Sequence, residues 1–254
     1  MSPELIALAD GLHQARQGGP TLPPHPGLTL AEAYHVAAHN HRRRVAAGDA
    51  TVGRKVGHTQ TANWATLGIQ APSWGWLYAS TTWRQSARPV GAGWREPKVE
   101  LELVLRLCQA PPADADEAAL LPCIEAVALG LEFVDRPYPA WGGSVADSVA
   151  AGGVHAGLWI GEPQPWSHAI AAALPHLSAE LQVGSQGSQG GSGGVMGSPL
   201  RALAALQRVL TAQSAPALQA GEWISTGALA PALPYAAAVA LSARVMGPGF
   251  SLSV

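Results

Sequence analysis

Charge is scarce in this chain: Asp, Glu, Lys and Arg make up 13% of its 254 residues, and the formal net charge is −2. Without a basic excess there is no electrostatic footprint for a nucleic-acid backbone or an anionic membrane surface, so the expected partner is a small molecule. Cysteine is nearly missing too. Cys108 and Cys123 are the two present, too few and wrongly spaced for a disulfide framework or a zinc site, and both lie in apolar segments as expected buried thiols. No apolar run reaches membrane-spanning length, and the opening residues carry an acid where a secretory leader carries basic charge, so a cytoplasmic protein is expected. No linker separates two cores, and residues 1–254 are expected to form a single domain with 1–50 as a helical N-terminal part. Phenylalanine occurs twice against nine tryptophans. Trp64, Trp74, Trp76, Trp83 and Trp94 crowd one quarter of the chain, which reads first as a packing device and second as the wall of an apolar pocket.

The most informative stretch runs from Lys98 to Cys108, where Leu101, Leu103, Leu105 and Leu107 alternate with Glu100, Glu102, Val104 and Arg106. A period of two predicts a β-strand with its leucine face inward and Glu100 and Glu102 side by side on the other face. Same-face neighbours sit roughly 6.5–7 Å apart, near enough to converge on one cation. By itself Glu-x-Glu is also an ordinary solvated strand face. Farther on, Glu132 and Asp135 are embedded among Leu131, Phe133 and Val134. An acid in so apolar a setting is costly to bury unless paired or bound to metal, which makes Glu132 a candidate third ligand. Three carboxylates with open positions suit Mg2+ or Mn2+ rather than zinc.

Helices are predicted where caps and periodicity agree. Ser2-Pro3 opens one that ends near Gly18-Gly19, and Thr29-Leu-Ala-Glu32 is a capping box opening a second to about Ala47. On the latter, His35, His39 and His41 beside Arg42, Arg43 and Arg44 read as a solvated face rather than a metal pair. Thr51 to Gly57 is a strand, in which Lys55 is either a site residue or an exposed loop lysine. Thr59 to Gly68 forms a short helix, and Pro72 to Ser80 a turn-rich loop with three aromatics. Asp114 to Leu129 is expected to be a helix, Val154 to Ile160 a strand, and Ser167 to cap a helix of about a dozen residues. Gly184 to Gly194 lacks a P-loop ending and reads as a mobile hairpin connection, or a lid if it folds over a pocket. Ser198-Pro199 starts an amphipathic helix. Gly221 to Gly227 and Tyr235 to Leu252 alternate as closing strands.

Taken in order, Gly53-Arg-Lys-Val-Gly57, Val99-Glu-Leu-Glu102, Leu131-Glu-Phe-Val-Asp135, Val145-Ala-Asp147, Gly197-Ser-Pro-Leu200 and Leu218-Gln-Ala-Gly221 resemble the 2-keto-4-pentenoate hydratase and 4-oxalocrotonate decarboxylase branch of the fumarylacetoacetate hydrolase superfamily. The resemblance spans nearly the whole chain. It implies a mixed α/β (α+β) fold, with a rolled β-core, surrounding helices and a helical N-terminal part, and a homo-oligomer. It also implies a divalent ion on Glu100, Glu102 and Glu132, chelated by a 2-oxo acid whose carbonyl it polarises, and Lys55 as the group that moves a proton or holds the substrate carboxylate. The implied activity is a lyase of aromatic meta-cleavage catabolism, most directly hydration of a 2-hydroxy-2,4-dienoate. Alternatives are decarboxylation of a 4-oxalocrotonate-like diacid and a non-catalytic small-acid-binding protein on the same scaffold.

Several positions depart from the family pattern. His58 stands where the family has an apolar residue and is a possible extra acid or base. Tyr78, Ala79 and Ser80 stand where an acid is usual. Asp147 and Ser148 are the expected substrate-binding pair, but Ser148 replaces an asparagine and Ala150 and Ala151 replace serines. Pro137 takes the place of an arginine, with Arg136 one position early. Lost hydroxyls mean lost hydrogen bonds at the polar end of the pocket.

Overall fold

The protein is described here by a computed structural model, in which residues 1–84, 93–236 and 238–254 are described. Two helices lead, α1 (Pro3–Arg16) and α2 (Leu30–Ala46), followed by β1 (Thr51–Gly57), α3 (Trp64–Leu67), β2 (Ser73–Tyr78), β3 (Thr82–Arg84), β4 (Lys98–Leu107), α4 (Glu117–Leu120) and β5 (Ile124–Val134). The second half comprises α5 (Val145–Ala150), β6 (His155–Ile160), β7 (Gln164–Pro165), α6 (His168–Ala173), β8 (Ser178–Val183), β9 (Gln186–Gly191), α7 (Pro199–Ala212), β10 (Trp223–Ala228), β11 (Leu233–Pro234), β12 (Leu241–Gly247) and β13 (Phe250–Ser253). The result is a mixed α/β fold around a curled sheet with strand order β2-β1-β10-β4-β5-β6-β3, to which β11 adds on β4 and β7 on β5. A smaller sheet runs β13-β12-β8-β9. No helix among the described residues is long and apolar enough to cross a membrane.

The caps act as their residues suggest. Ser2 accepts from Leu5 N, and Thr29 and Glu32 close a reciprocal capping box, so one free N–H at the first helix start and two at the second are satisfied. Leu5, Leu8 and Leu12 of α1 pack with Val36 of α2 and Val149 of α5 in a cluster of their own beside the sheet. On α7, Leu203, Leu206 and Leu210 face the main core, each burial contributing about 1.5–3 kcal/mol.

The longest pairing joins β4 and β5, antiparallel, with Leu101 opposite Leu131 and Leu103 opposite Leu129. β10 lies between β4 and β1, antiparallel to the first and parallel to the second. Gly53 of β1 sits opposite Trp223 of β10, and a Cβ there would fall 1.8 Å from the Trp223 carbonyl oxygen. That contact is with backbone and cannot rotate away. Gly53→Ala is therefore expected to destabilise the fold by about 1–3 kcal/mol through overpacking, read as a melting temperature lowered by several degrees; an unchanged melting curve would show that β1 pairs elsewhere.

Four expectations are corrected. The helix expected over Asp114 to Leu129 is confined to Glu117–Leu120, and Ile124 already begins β5. From Val127 onward this strand is buried on both faces, so its sequence loses the alternation that marks a half-exposed strand and imitates a buried helix. The same cause hid β2, expected as a loop: all six residues of Ser73–Tyr78 are buried. The segment from Gly184 to Gly194 is not a loose connection, since Gln186–Gly191 pairs fully with β8. Its glycines answer close approach, because a Cβ on Gly190 would lie 2.0 Å from Leu229 O and one on Gly191 2.1 Å from Leu177 O. The helix capped by Ser167 is short, passing at Leu174 into a turn that holds Pro175.

Smaller differences concern side chains. Cys108 is exposed whereas Cys123 is buried, both as free thiols. His41 does not share the solvated face: its ring stacks on Trp76 at 4.1 Å, and its Nδ1 lies 3.0 Å from Tyr78 Oη. The tryptophans serve packing, with Trp74 edge-on to Trp76 and Trp94 stacked on Phe133.

Candidate active site

Period-two geometry places Glu100 and Glu102 on one face of β4, and the β4–β5 register brings Glu132 directly opposite Glu100. One carboxylate oxygen from each residue lies within 4.8 Å of the others. Glu102 and Glu132 are completely buried, and Glu100 is partly open to an adjoining cleft. Lys55 enters from β1 and is only 5% exposed, which rules out a surface lysine. Its Nζ lies 2.9 Å from Glu132 Oε1 and donates to Gly153 O at 3.0 Å.

Two of the acids, Glu102 and Glu132, are held on one side and open on the other. Glu102 Oε2 accepts from Ser225 Oγ at 2.5 Å and Gly227 N at 2.9 Å, both on β10. Glu132 Oε1 takes Lys55 Nζ and, at 2.8 Å, His155 Nδ1 from β6. Glu102 Oε1 and Glu132 Oε2, by contrast, are buried with no hydrogen-bond partner among the described residues. An unsatisfied buried carboxylate oxygen is costly, and two within one acid cluster are an opening for a cation.

Electrostatics point the same way. Burial, then the neighbouring Glu132, push the Glu100 carboxyl up to about 7, and the same two causes raise Glu102 well above the usual range. Burial also acts upward on Glu132, but Lys55 and His155 outweigh it and hold this acid ionised. Burial opposes the Lys55 ammonium, yet the three carboxylates, Glu132 first, keep its pKa above the ordinary value. With every acid ionised, three carboxylates face one ammonium. The two unmatched negative charges complement one divalent ion.

The cleft beside the cluster has a volume of about 760 Å³ and is lined in part by Lys55, Glu100, His58, Gln60, Asn63 and Gln189. Lys55 is the one cationic side chain among its described lining residues apart from His58, whose pKa is lowered to about 4 by burial and then by Lys55. The His58 ring is therefore neutral near pH 7, with Nδ1 2.7 Å from Ser73 Oγ. No tryptophan is among those lining residues.

Asp147 and Ser148 are not among the described residues that line this cleft. Asp147 is the third residue of a capping box on α5: its Oδ2 accepts from Ser144 N and Oγ, and its Oδ1 from His25 N. Ala150 and Ala151 pack in the cluster formed by the N-terminal helices. Asp135 accepts from Arg95 N and Glu96 N. Sequence reasoning missed His155, Ser225 and Arg16. The first two reach the acids across neighbouring strands. Arg16 donates from α1 to the carbonyl oxygens of His155 and Ala151.

No family model matches the chain. A 2-hydroxyhexa-2,4-dienoate hydratase of Comamonas testosteroni is 31% identical over 249 residues, covering 95% of this chain and 92% of that protein. A 4-oxalocrotonate decarboxylase of a Pseudomonas species is 28% identical over 254 residues, 97% of this chain and 96% of its own. Among solved structures, 4-oxalocrotonate decarboxylase from Pseudomonas putida G7, complexed with magnesium and adipate, matches with a TM-score of 0.86 and 25% identity over 100% of this chain and 97% of that one. Fold and likeness together define an enzyme of the lyase class. The chain belongs to the 2-keto-4-pentenoate hydratase and 4-oxalocrotonate decarboxylase branch of the fumarylacetoacetate hydrolase superfamily.

Proposed function

We propose that Glu100, Glu102 and Glu132 hold one divalent ion, Mg2+ or Mn2+, and that the enzyme adds water to a 2-hydroxy-2,4-dienoate. The observation that carries this reading is the pair of oxygens unpartnered among the described residues, Glu102 Oε1 and Glu132 Oε2, in a buried cluster that carries two unmatched negative charges when all three acids are ionised. Hard oxygen donors without sulfur or a second imidazole suit such ions. The magnesium in the related decarboxylase structure supports the same choice. A bound ion supplies Lewis-acid polarisation of a 2-oxo acid and stabilises the negative charge that develops on its carbonyl oxygen.

Lys55 lies at the floor of the cleft beside Glu132, where its ammonium can hold a substrate carboxylate or pass a proton to the carbon chain. His58, neutral and tied to Ser73, acts as a hydrogen-bonding wall rather than a charge. Glu102 is aimed by Ser225 and Gly227, so its free oxygen points toward the cluster.

Hydration is favoured over decarboxylation by the charge of the cleft. A diacid brings a second carboxylate that must be matched when desolvated, while besides Lys55 the described polar lining includes the neutral side chains of Gln60, Asn63 and Gln189. A monoacid dienoate fits that lining at less cost. The test is the decay of dienoate absorbance by purified protein of measured metal content, with and without EDTA. Turnover abolished by EDTA and restored by Mg2+ or Mn2+ is expected. Faster loss of a 4-oxalocrotonate-like diacid than of any dienoate would transfer the assignment to the decarboxylase, and metal binding without turnover of either would leave a binding protein.

A further inference from the structure

His155 is unused by the mechanism above and differs from every other histidine of the chain in its depth. It is 2% exposed, and its Nδ1 lies 2.8 Å from Glu132 Oε1, the same oxygen that receives Lys55 Nζ. Two donors arriving on one oxygen from β1 and β6 fix the plane of the carboxylate. A single donor would leave the group free to exchange its oxygens by rotation, whereas here Oε2 is left as the oxygen without a partner. The residue is contacted at its backbone and at the far side of its ring. Its backbone carbonyl receives the Arg16 guanidinium from α1, and its Nε2 lies 3.4 Å from Thr81 Oγ1. Glu132 is held ionised and its oxygen can only accept, so Nδ1 is the protonated nitrogen that donates to it.

We infer that His155 is a positioning residue for the metal site, donating from Nδ1–H to Glu132 Oε1 so that Glu132 Oε2 is presented with Glu100 and Glu102. The inference rests on the reading of the three glutamates as an ion site. It differs from plain core packing in what it demands of one atom, since an asparagine amide reproduces the donor at the Nδ1 position and a glutamine amide extends past it toward Nε2.

The experiment compares Mn2+ affinity, by electron paramagnetic resonance of the free ion, in the wild-type protein, His155→Asn and His155→Gln. Outer-sphere donors to metal-ligating groups typically matter by about 10–100-fold in affinity. His155→Asn is expected to stay within a few-fold of wild type and His155→Gln to weaken binding by about 10–100-fold. Equal affinities in the two variants, whether both retained or both lost, would overturn the inference while leaving the ion site standing if the wild type binds. A wild-type protein that binds no Mn2+ would sink the ion site and the inference with it. A second measurement needs no variant. Long-range proton–nitrogen correlation spectra of the wild-type apoprotein should show the His155 Nδ1 carrying a proton, and an unprotonated Nδ1 would overturn the inference whatever the variants do.

Discussion

Glu102→Gln is expected to bind no Mg2+ or Mn2+ at millimolar concentration and to lose at least about three orders of magnitude in turnover, since several kcal/mol of charge stabilisation leave with the ion and each 1.4 kcal/mol is a decade. The substitution keeps the shape. A glutamine carbonyl can accept from Ser225 Oγ and Gly227 N as Glu102 Oε2 does, but its amide then turns two donor hydrogens toward the cluster in place of the free oxygen. One negative charge is lost and the remaining contact becomes repulsive. The apoprotein should nevertheless be as heat-stable as the wild type or more so, because one of three buried, mutually repelling carboxyls has been neutralised. The discriminating measurement is the rise in melting temperature on adding Mn2+, large for wild type and absent for the variant. An unchanged metal stoichiometry in Glu102→Gln would refute the ligand assignment.

Lys55→Met separates the ion from the proton. The variant should retain its metal, because the ammonium that competes for Glu132 is gone, while turnover falls by about 10²–10⁴-fold, the usual worth of a positioned acid–base group. Stability splits by state. In the apoprotein the substitution breaks a buried ion pair and leaves Glu132 with His155 alone, a change that typically costs about 3–5 kcal/mol. Bound metal supplies the missing positive charge. The apo form should therefore melt well below wild type, and added Mn2+ should recover most of the difference. A variant with wild-type kcat would remove Lys55 from the chemistry.

What could be read in advance follows from how much of each element meets solvent. β4 was legible because its outer positions Glu100 and Arg106 keep polar side chains between the leucines. β2 and β5 were not, for both of their faces are covered and apolar residues fill consecutive positions. The three glutamates could be singled out one at a time from an apolar setting and a spacing of two. Their convergence depends on the pairing of Glu100 with Glu132, which is a matter of strand register and not of local sequence. His155 left no trace for the same reason, its importance being a contact with a residue 23 positions away on the adjacent strand. Asp147 shows the reverse case: it sits in a motif shared with the family, and its carboxylate is occupied in capping α5 and binding the backbone of His25.

The position of β10 between β1 and β4 has a bearing on how the chain matures during translation. The acids of β4 and β5 emerge from the ribosome within a few dozen residues of one another and can pair as soon as both are out. Lys55 is made earlier, yet its strand has no seat beside them until Trp223–Ala228 has been synthesised and threaded into the gap. A nascent chain stalled before that point holds its acids without their lysine. Under the proposed ion site, cation capture coordinated with Lys55 requires β10 to have been made, and ribosome-stalled intermediates of increasing length should acquire it in a single late step.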